Sequence, residues 1–351
     1  MFKSGYVSVV GKPNAGKSTL VNKLVGFKVA ITTPKPQTTR FNIKGIVTSK
    51  TSQIVFIDTP GVHTPKHKMG KYMMQSVNTA INNVDVIVYL VDATRPKIDF
   101  ANENIMKNIG NLNTKVILCI NKIDKVDKAR LLSIMDEYNK FFASIGASFC
   151  DIIPISVYKN DGLDILISCI EKYLKPGDII YPEDEITDIT EREIVEETIR
   201  EKALNNLDEE VPHGIKVEVE NFKENIREDG KYVYNIDVNL ICKKKSHKGI
   251  VIGKDGTMLK KITREAKKDL ENNLAVVQKE NGQVEKSIKE VESTLDWNSI
   301  QQKATEALGM QKKAGVPIEL NKSDNVETTS KLIKEEKVSL VDKVIEYFIN
   351  K

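Results

Sequence analysis

The chain reads as an α/β domain with a mostly parallel sheet and helices on both faces, then a smaller α+β domain, then a helical tail. Three observations predict that order. Short apolar runs rich in β-branched residues alternate with helix-like polar stretches from Tyr6 to about Leu174. A turn-rich stretch follows, Pro176-Gly177 and then Tyr181-Pro182-Glu183-Asp184. Finally, the charge balance changes at about Glu271: residues 243–268 hold ten Lys/Arg and two acidic side chains, whereas residues 272–351 hold 12 basic and 13 acidic ones. The predicted divisions are residues 1–174, a linker with the start of a helix at 175–197, a second domain at 198–271, and the tail at 272–351.

The 351 residues carry 53 basic and 49 acidic side chains, a net charge of +4, and 40% of them are apolar, enough to build cores. Cys119, Cys150, Cys169 and Cys242 are far apart and form no C-x-x-C pair. That spacing argues against a disulfide scaffold or a structural zinc and for reduced thiols in cores. Gly11 and Lys12 interrupt the first apolar run, so no leader pattern is read. Val86–Val91, the longest apolar run of the first domain, is far short of the ~20 residues that span a bilayer. A soluble, cytoplasmic protein is expected.

The predicted strands are Val7–Val10, Ile54–Ile57, Val86–Val91, Val116–Ile120 and Ile152–Ile155. Directly after the first, Gly11-Lys12-Pro13-Asn14-Ala15-Gly16-Lys17-Ser18 fits G-x-x-x-x-G-K-[ST] and leads into a helix pattern. Glycines there let backbone N–H groups turn around a phosphate, and the helix N-terminus adds a favourable dipole. Lys17 would reach the β/γ-phosphates and Ser18 would ligate Mg²⁺.

The base is chosen elsewhere. Asn121-Lys122-Ile123-Asp124 follows the fourth run, and a carboxylate at Asp124 can pair with the ring N–H and exocyclic amine of guanine. Adenine would leave that carboxylate unpaired, a discrimination worth orders of magnitude. Asn121 would brace the loop and the Lys122 stem would cover the base. Asp58-Thr59-Pro60-Gly61, at the end of the second run, would supply Asp58 to Mg²⁺ and the Gly61 N–H to the γ-phosphate, with Val62 just beyond. Thr38-Thr39-Arg40 lies where a switch threonine is expected; Thr39 is assigned to Mg²⁺ and the γ-phosphate, with Thr38 the alternative. Lys17, Thr39 and Gly61 are the expected catalytic groups. Ile155-Ser156-Val157 would touch the guanine through its backbone.

These motifs predict a GTPase of the translation-factor-related class binding GTP or GDP. The wording Gly11 to Ser18, Pro36-Gln37-Thr38-Thr39-Arg40 and Asp58-Thr59-Pro60-Gly61-Val62-His63 resembles the Era GTPases. Thr187-Asp188, Ile199-Arg200-Glu201-Lys202 and Glu210-Val211-Pro212 continue the resemblance to about residue 271. Val157 stands where alanine is usual in that family. Val62 cannot hydrogen-bond to water, unlike the glutamine of Ras-like proteins, so slow intrinsic turnover is expected. Arg40 is the candidate cationic finger. Asn14 either braces the loop or, as in related GTPases, holds a K⁺ beside the phosphates.

In the second domain a helix is expected from Thr187-Asp188 to about Leu207, then strands over Ile215–Val219 and Tyr232–Ile241. Gly253-Lys254-Asp255-Gly256 then opens a basic helix containing Leu259, Ile262 and Ala266. A G-x-x-G turn lets backbone approach a sugar–phosphate chain, with Lys254, Lys260 and Lys261, and Lys243 to Lys245 before them, supplying charge. The alternative is a solvated basic face. This stretch resembles the type-2 KH domain of Era proteins, which implies the 3′ end of 16S rRNA as ligand, 30S subunit assembly as context, and peripheral association with the cytoplasmic face of the cell membrane.

Beyond Glu271 the expected last KH strand is replaced by Leu274, Val277, Asn281, Val284, Ile288, Val291 and Leu295, a heptad seam with one Asn. It predicts either coiled-coil pairing or an amphipathic surface helix, and Ala304–Met310 resembles septum-formation-initiator coiled-coil proteins. The rival to an RNA-binding switch is thus a nucleotide-gated scaffold whose tail docks on a division or membrane partner.

Overall fold

Four strands, β1 (Lys3–Gly11), β3 (Ser52–Asp58), β4 (Val86–Asp92) and β5 (Lys115–Asn121), are mostly buried on both faces. That is why their sequences read as continuous apolar runs. With β6 (Asp151–Pro154) they run parallel in the spatial order β3-β1-β4-β5-β6. The computed structural model describes residues 1–35, 38–62, 68–208, 211–226 and 232–272. They fall in one compact unit, Met1–Ala275.

Two strands were not expected from sequence. β2 (Ile43–Thr48) pairs antiparallel with β3, Ile43 opposite Asp58; Lys44 and Gly45 break its apolar pattern. β7 (Lys175–Pro176) pairs with Lys3 and Ser4 of β1, inside the stretch read as linker. Thr187, expected to open the next helix, instead donates its hydroxyl to the Lys44 carbonyl at 2.7 Å and pins that stretch to β2.

One sheet face is covered by α2 (Lys68–Asn82), α3 (Phe100–Gly110) and α4 (Lys128–Ser144). Val77, Ile81, Ile105, Tyr138 and Phe142 pack there on Tyr89, Leu118 and Ile120. Alternate strand positions such as Val9, Val88 and Leu90 are buried on the opposite face. Leu20 and Val21 of α1 (Lys17–Val25) and Leu166 and Ile170 of α5 (Leu163–Tyr173) are buried outside that cluster, giving helices on both faces.

The second half opens with α6 (Glu191–Asn206), whose start is fixed by a capping box between Thr190 and Glu193. An antiparallel pair follows, β8 (Ile215–Ile226) and β9 (Tyr232–Cys242), then α7 (Lys245–Ile252) and α8 (257–272). Ala203 and Leu207 at the end of α6 meet Ile215, Val217, Val251 and Ile262 in a small core of their own. Across the two halves, Lys28 reaches both Glu201 (2.5 Å) and Asp269 (2.9 Å), and Lys202 also pairs with Asp269. Glu201 is buried and also faces Lys202 at 3.4 Å, so losing both cations would cost about 3–5 kcal/mol.

All four cysteines are free. Among the described residues no helix is long and apolar enough to cross a membrane. The heptad seam and the Ala304–Met310 resemblance lie outside the described residues.

Candidate functional site

Four of the nucleotide motifs sit at carboxyl ends of sheet strands, where open α/β sheets bind ligands, while Thr38-Thr39-Arg40 lies between α1 and β2. β1 ends at Gly11, β3 at Asp58 and β5 at Asn121, while Ser156 follows β6 closely. The loop from Gly11 to Lys17 is built by its backbone. Gly16 has φ 102°, and a Cβ there would lie 2.4 Å from Asn121 Nδ2, so only glycine fits. Lys12 is tied down by the Lys97 carbonyl (2.6 Å) and Asp99 (2.9 Å). Pro13 lies against Gly61, and Ala15 is buried with its carbonyl accepting from Asn121 Nδ2 at 2.9 Å. Lys17, 6% exposed, donates to the Lys12 carbonyl at 3.0 Å. Burial pushes its ammonium down to about 8, against the opposing pull of Asp58.

Ser18, Thr39 and Asp58 converge. Ser18 Oγ donates to Asp58 Oδ2 at 2.6 Å and lies 3.0 Å from Thr39 Oγ1, which is 3.4 Å from the same carboxylate oxygen. Asp58 Oδ1 is buried without a partner. Burial pushes the Asp58 carboxyl up to about 6, although Lys17, Ser18 and Thr39 oppose the shift. An orphaned carboxylate oxygen beside two hydroxyls is the all-oxygen donor set that suits a small hard cation such as Mg²⁺. Among the described residues no three His, Cys, Asp or Glu side chains cluster as a metal site.

The two candidate threonines separate cleanly. Thr38 Oγ1 turns away to Thr33 Oγ1 and the Lys35 carbonyl, each at 2.7 Å. Thr59 donates to the Val9 carbonyl at 2.8 Å, and Pro60 and Gly61 are buried. Val62, 3% exposed, belongs to the apolar core and hands its N–H to the Gly11 carbonyl. Asn14 donates Nδ2 to the Pro34 carbonyl at 2.8 Å, which is the loop-bracing arrangement. Arg40 points to the His213 carbonyl at 3.3 Å, in the second half of the molecule.

At the base end, Asn121 Oδ1 accepts from the Lys122 and Val157 N–H groups. Lys122 Nζ donates to the Asn14 carbonyl at 2.8 Å and pairs with Asp92, so its side chain reaches back to the phosphate loop. The Ile123 N–H is taken by the Ile155 carbonyl at 3.3 Å. The fifth motif differs from expectation. The Ser156 N–H is bonded to Asp161 and that of Val157 to Asn121, so neither is free to meet a base. Ser156 instead donates its hydroxyl to Asp124 Oδ1 at 2.6 Å and orients that carboxylate.

In the second half the Gly253-Lys254-Asp255-Gly256 turn carries φ of 70°, 53° and 73° at Gly253, Asp255 and Gly256. The glycines do different work. A Cβ on Gly253 would come within 2.7 Å of Met258 Cβ, so the domain's own packing requires it, whereas one on Gly256 would meet nothing closer than Lys260 Cε at 4.0 Å. Gly256 therefore keeps the outer face open. Lys254, Asp255, Lys260 and Lys261 are exposed around it.

Sequence reasoning missed three groups: the Ser156 hydroxyl, Lys28, and Arg200, 4% exposed, which donates Nη2 to the Thr38 carbonyl at 2.7 Å. Only side-chain type in a helix signalled Arg200; a cation at that depth needs partners.

A family model described as a 50S ribosome-binding GTPase matches residues 6–122, and a KH-domain model matches residues 210–294. GTPase Era of Ruminiclostridium cellulolyticum is 47% identical over 274 residues, covering 78% of this chain and 88% of the relative. GTPase Era of Clostridium novyi is 44% identical, covering 78% and 90%. This chain belongs to the Era GTPases. Two Era crystal structures superpose on it. One, in complex with MgGDPNP and nucleotides 1506–1542 of 16S ribosomal RNA, has a TM-score of 0.72 at 38% identity over 78% of this chain and 90% of that one. A point variant of Aquifex aeolicus Era bound to GDP·AlF₄⁻ has a TM-score of 0.71 at 39% identity with the same coverage. This Era-family chain is therefore a GTP-hydrolysing enzyme with a P-loop domain and a KH domain.

Proposed function

We propose that the enzyme binds 16S rRNA near its 3′ end through the Gly253–Gly256 turn and acts in assembly of the 30S subunit, with GTP turnover as the switch. The observation that carries this reading is a glycine turn with an open outer face, ringed by exposed lysines, in one compact unit with a nucleotide site. Its relative solved with MgGDPNP and 16S nucleotides 1506–1542 supports the same ligand. Footprinting of the full chain on 16S rRNA, with a non-hydrolysable GTP analogue and with GDP, tests it. Protection confined to the 3′ end in the GTP-analogue state is the expected result; protection elsewhere, or none, overturns it.

In this reading Lys17 holds the β/γ-phosphates, Asp124 reads guanine, and Ser18, Thr39 and Asp58 hold Mg²⁺. The metal, when bound, neutralises charge developing on the phosphates. Val62 and Arg40 are both engaged elsewhere, so turnover rests on positioning and is slow without a stimulating partner. A K⁺ role requires Asn14 to leave the Pro34 carbonyl; equal hydrolysis in K⁺ and Na⁺ at one ionic strength would leave bracing as its role. Peripheral membrane association belongs to the same reading, as the resemblance to Era proteins implies, and flotation of the full chain with anionic vesicles tests it. Pairing through the heptad seam is tested by sedimentation equilibrium.

A further inference from the structure

A second cavity of about 420 Å³ lies apart from the nucleotide loop, bounded by the segment after Thr39, the middle of α6 and the start of β8. That volume is within the range of sites that enclose small organic ligands. Its cationic lining is Arg40, Arg200, Lys216 and Lys243, against the carboxylates of Glu196 and Glu197. Both carboxylates are occupied, Glu197 accepting from Arg200 and Glu196 from the Val219 N–H at 2.8 Å. On the cationic side Lys216, largely exposed, pairs with Glu218 and must turn from it to meet a phosphate. Phe41 and Ile241, 52% and 44% exposed, add apolar surface, and Tyr72 steadies the Phe41 ring at 6.3 Å.

Two observations point to an anionic occupant. The Arg200 guanidinium is buried and uses Nε and Nη2, yet its Nη1 has no acceptor. Beside it, burial and then the charge of Arg200 hold the Arg40 guanidinium below its ordinary value. An anion in the cavity would relieve the second, and would satisfy the first once the guanidinium turns its enclosed Nη1 toward it. Aromatic and apolar surface next to such cations suits a base attached to a phosphate, the combination by which single strands are generally held.

We propose that this cavity binds one nucleoside phosphate unit, its phosphate on the Arg40, Arg200, Lys216 and Lys243 cluster and its base against Phe41 and Ile241. The unit is either a residue of an RNA strand, in which case the proposal rests on the rRNA-binding reading, or a free mononucleotide.

The test uses the full chain, an RNA of 16S nucleotides 1506–1542 carrying 4-thiouridine, and uridine monophosphate. Photocrosslinks should map to the peptide holding Phe41 or the one holding Ile241. Lys216→Glu should weaken RNA binding about tenfold more than Lys50→Glu, the same charge change on the exposed turn between β2 and β3, with GTP binding unaltered. Saturable uridine monophosphate binding that Lys216→Glu abolishes would assign the cavity to a free nucleotide; crosslinking without it would assign it to the strand. The proposal is overturned if neither appears and Lys216→Glu behaves as Lys50→Glu. Gly256→Asp separates the two failures: if it weakens RNA binding severalfold in the same assay, the KH reading survives loss of the cavity. RNA binding untouched by Gly256→Asp sinks the KH reading instead, leaving the cavity to be decided by crosslinking and uridine monophosphate binding.

Discussion

Lys17, Thr39, Asp58 and Asn121 are each no more than 6% exposed, whereas Lys254, Asp255, Lys260 and Lys261 all stand in solvent. The two halves of the molecule thus reserve opposite surroundings for their polar groups. Buried charges interact strongly, are weakly screened and tolerate little displacement, while exposed ones act at longer range and are screened by salt. Nucleotide binding should therefore depend on single side chains and little on ionic strength. RNA binding should depend on summed charge and fall steeply with salt.

The comparison breaks first at Asp124, the proposed base-reading group, which stands in solvent. Asp124→Asn should cost about 100-fold in GTP affinity and shift preference to xanthosine triphosphate, measured by competitive titration of both nucleotides. Unchanged GTP affinity would remove Asp124 from the base pocket. Next in size, Lys254→Asp with Gly256→Asp should lower RNA affinity about tenfold and flatten its salt dependence, with GTP binding intact. Wild-type RNA binding there would leave the turn a solvated face.

The pH dependence sharpens the same contrast. Asp58 must be ionised to hold a metal, and its carboxyl is pushed up to about 6 in the ligand-free protein. Lys17 must be charged to hold phosphate, and its ammonium is pushed down to about 8. Affinity for Mg²⁺·GTP should peak between those values and fall by up to about tenfold per pH unit outside them. Linkage has an unusual sign here. Because the folded Asp58 binds its proton more tightly than an ordinary aspartate with its value of 3.8, ligand-free stability falls as pH rises from there to about 6. Urea unfolding at pH 4 and pH 6, for wild type and Asp58→Asn, measures it; the fall should shrink in the variant. The smallest effect is expected at Ser156. Ser156→Ala removes one hydrogen bond to Asp124 and should weaken GTP binding about threefold to fivefold, with RNA binding unchanged.

Much of the candidate site was legible because the residues that the fold brings together are contiguous words: a loop from Gly11 to Ser18, Asp58 to Gly61, Asn121 to Asp124. Which of Thr38 and Thr39 faces Ser18 and Asp58 was not, since adjacent threonines differ only in which way packing turns them. The Ser156–Asp124 bond escaped for another reason; a hydroxyl in a short loop carries no periodic signal, and its partner lies 32 residues away. Arg200 and Thr38 are separated by 162 residues, and no local pattern brings them together. Among strands, β2 was lost because an edge strand beside Lys44 and Gly45 lacks the apolar run that marks β3 to β5.

Consider finally the three residues 38, 39 and 40. The middle one is bound into the P-loop domain through Ser18 and Asp58, while its neighbours are held from the other half, the Thr38 carbonyl by Arg200 and the Arg40 side chain by the His213 carbonyl. Successive Cα atoms are only about 3.8 Å apart, so no slack separates these anchors. If Thr39 leaves Ser18 and Asp58, it drags on a buried guanidinium that already lacks one acceptor and stands to lose a second. Any movement of Thr39 away from Ser18 and Asp58 is therefore paid for, in part, inside the second half of the molecule.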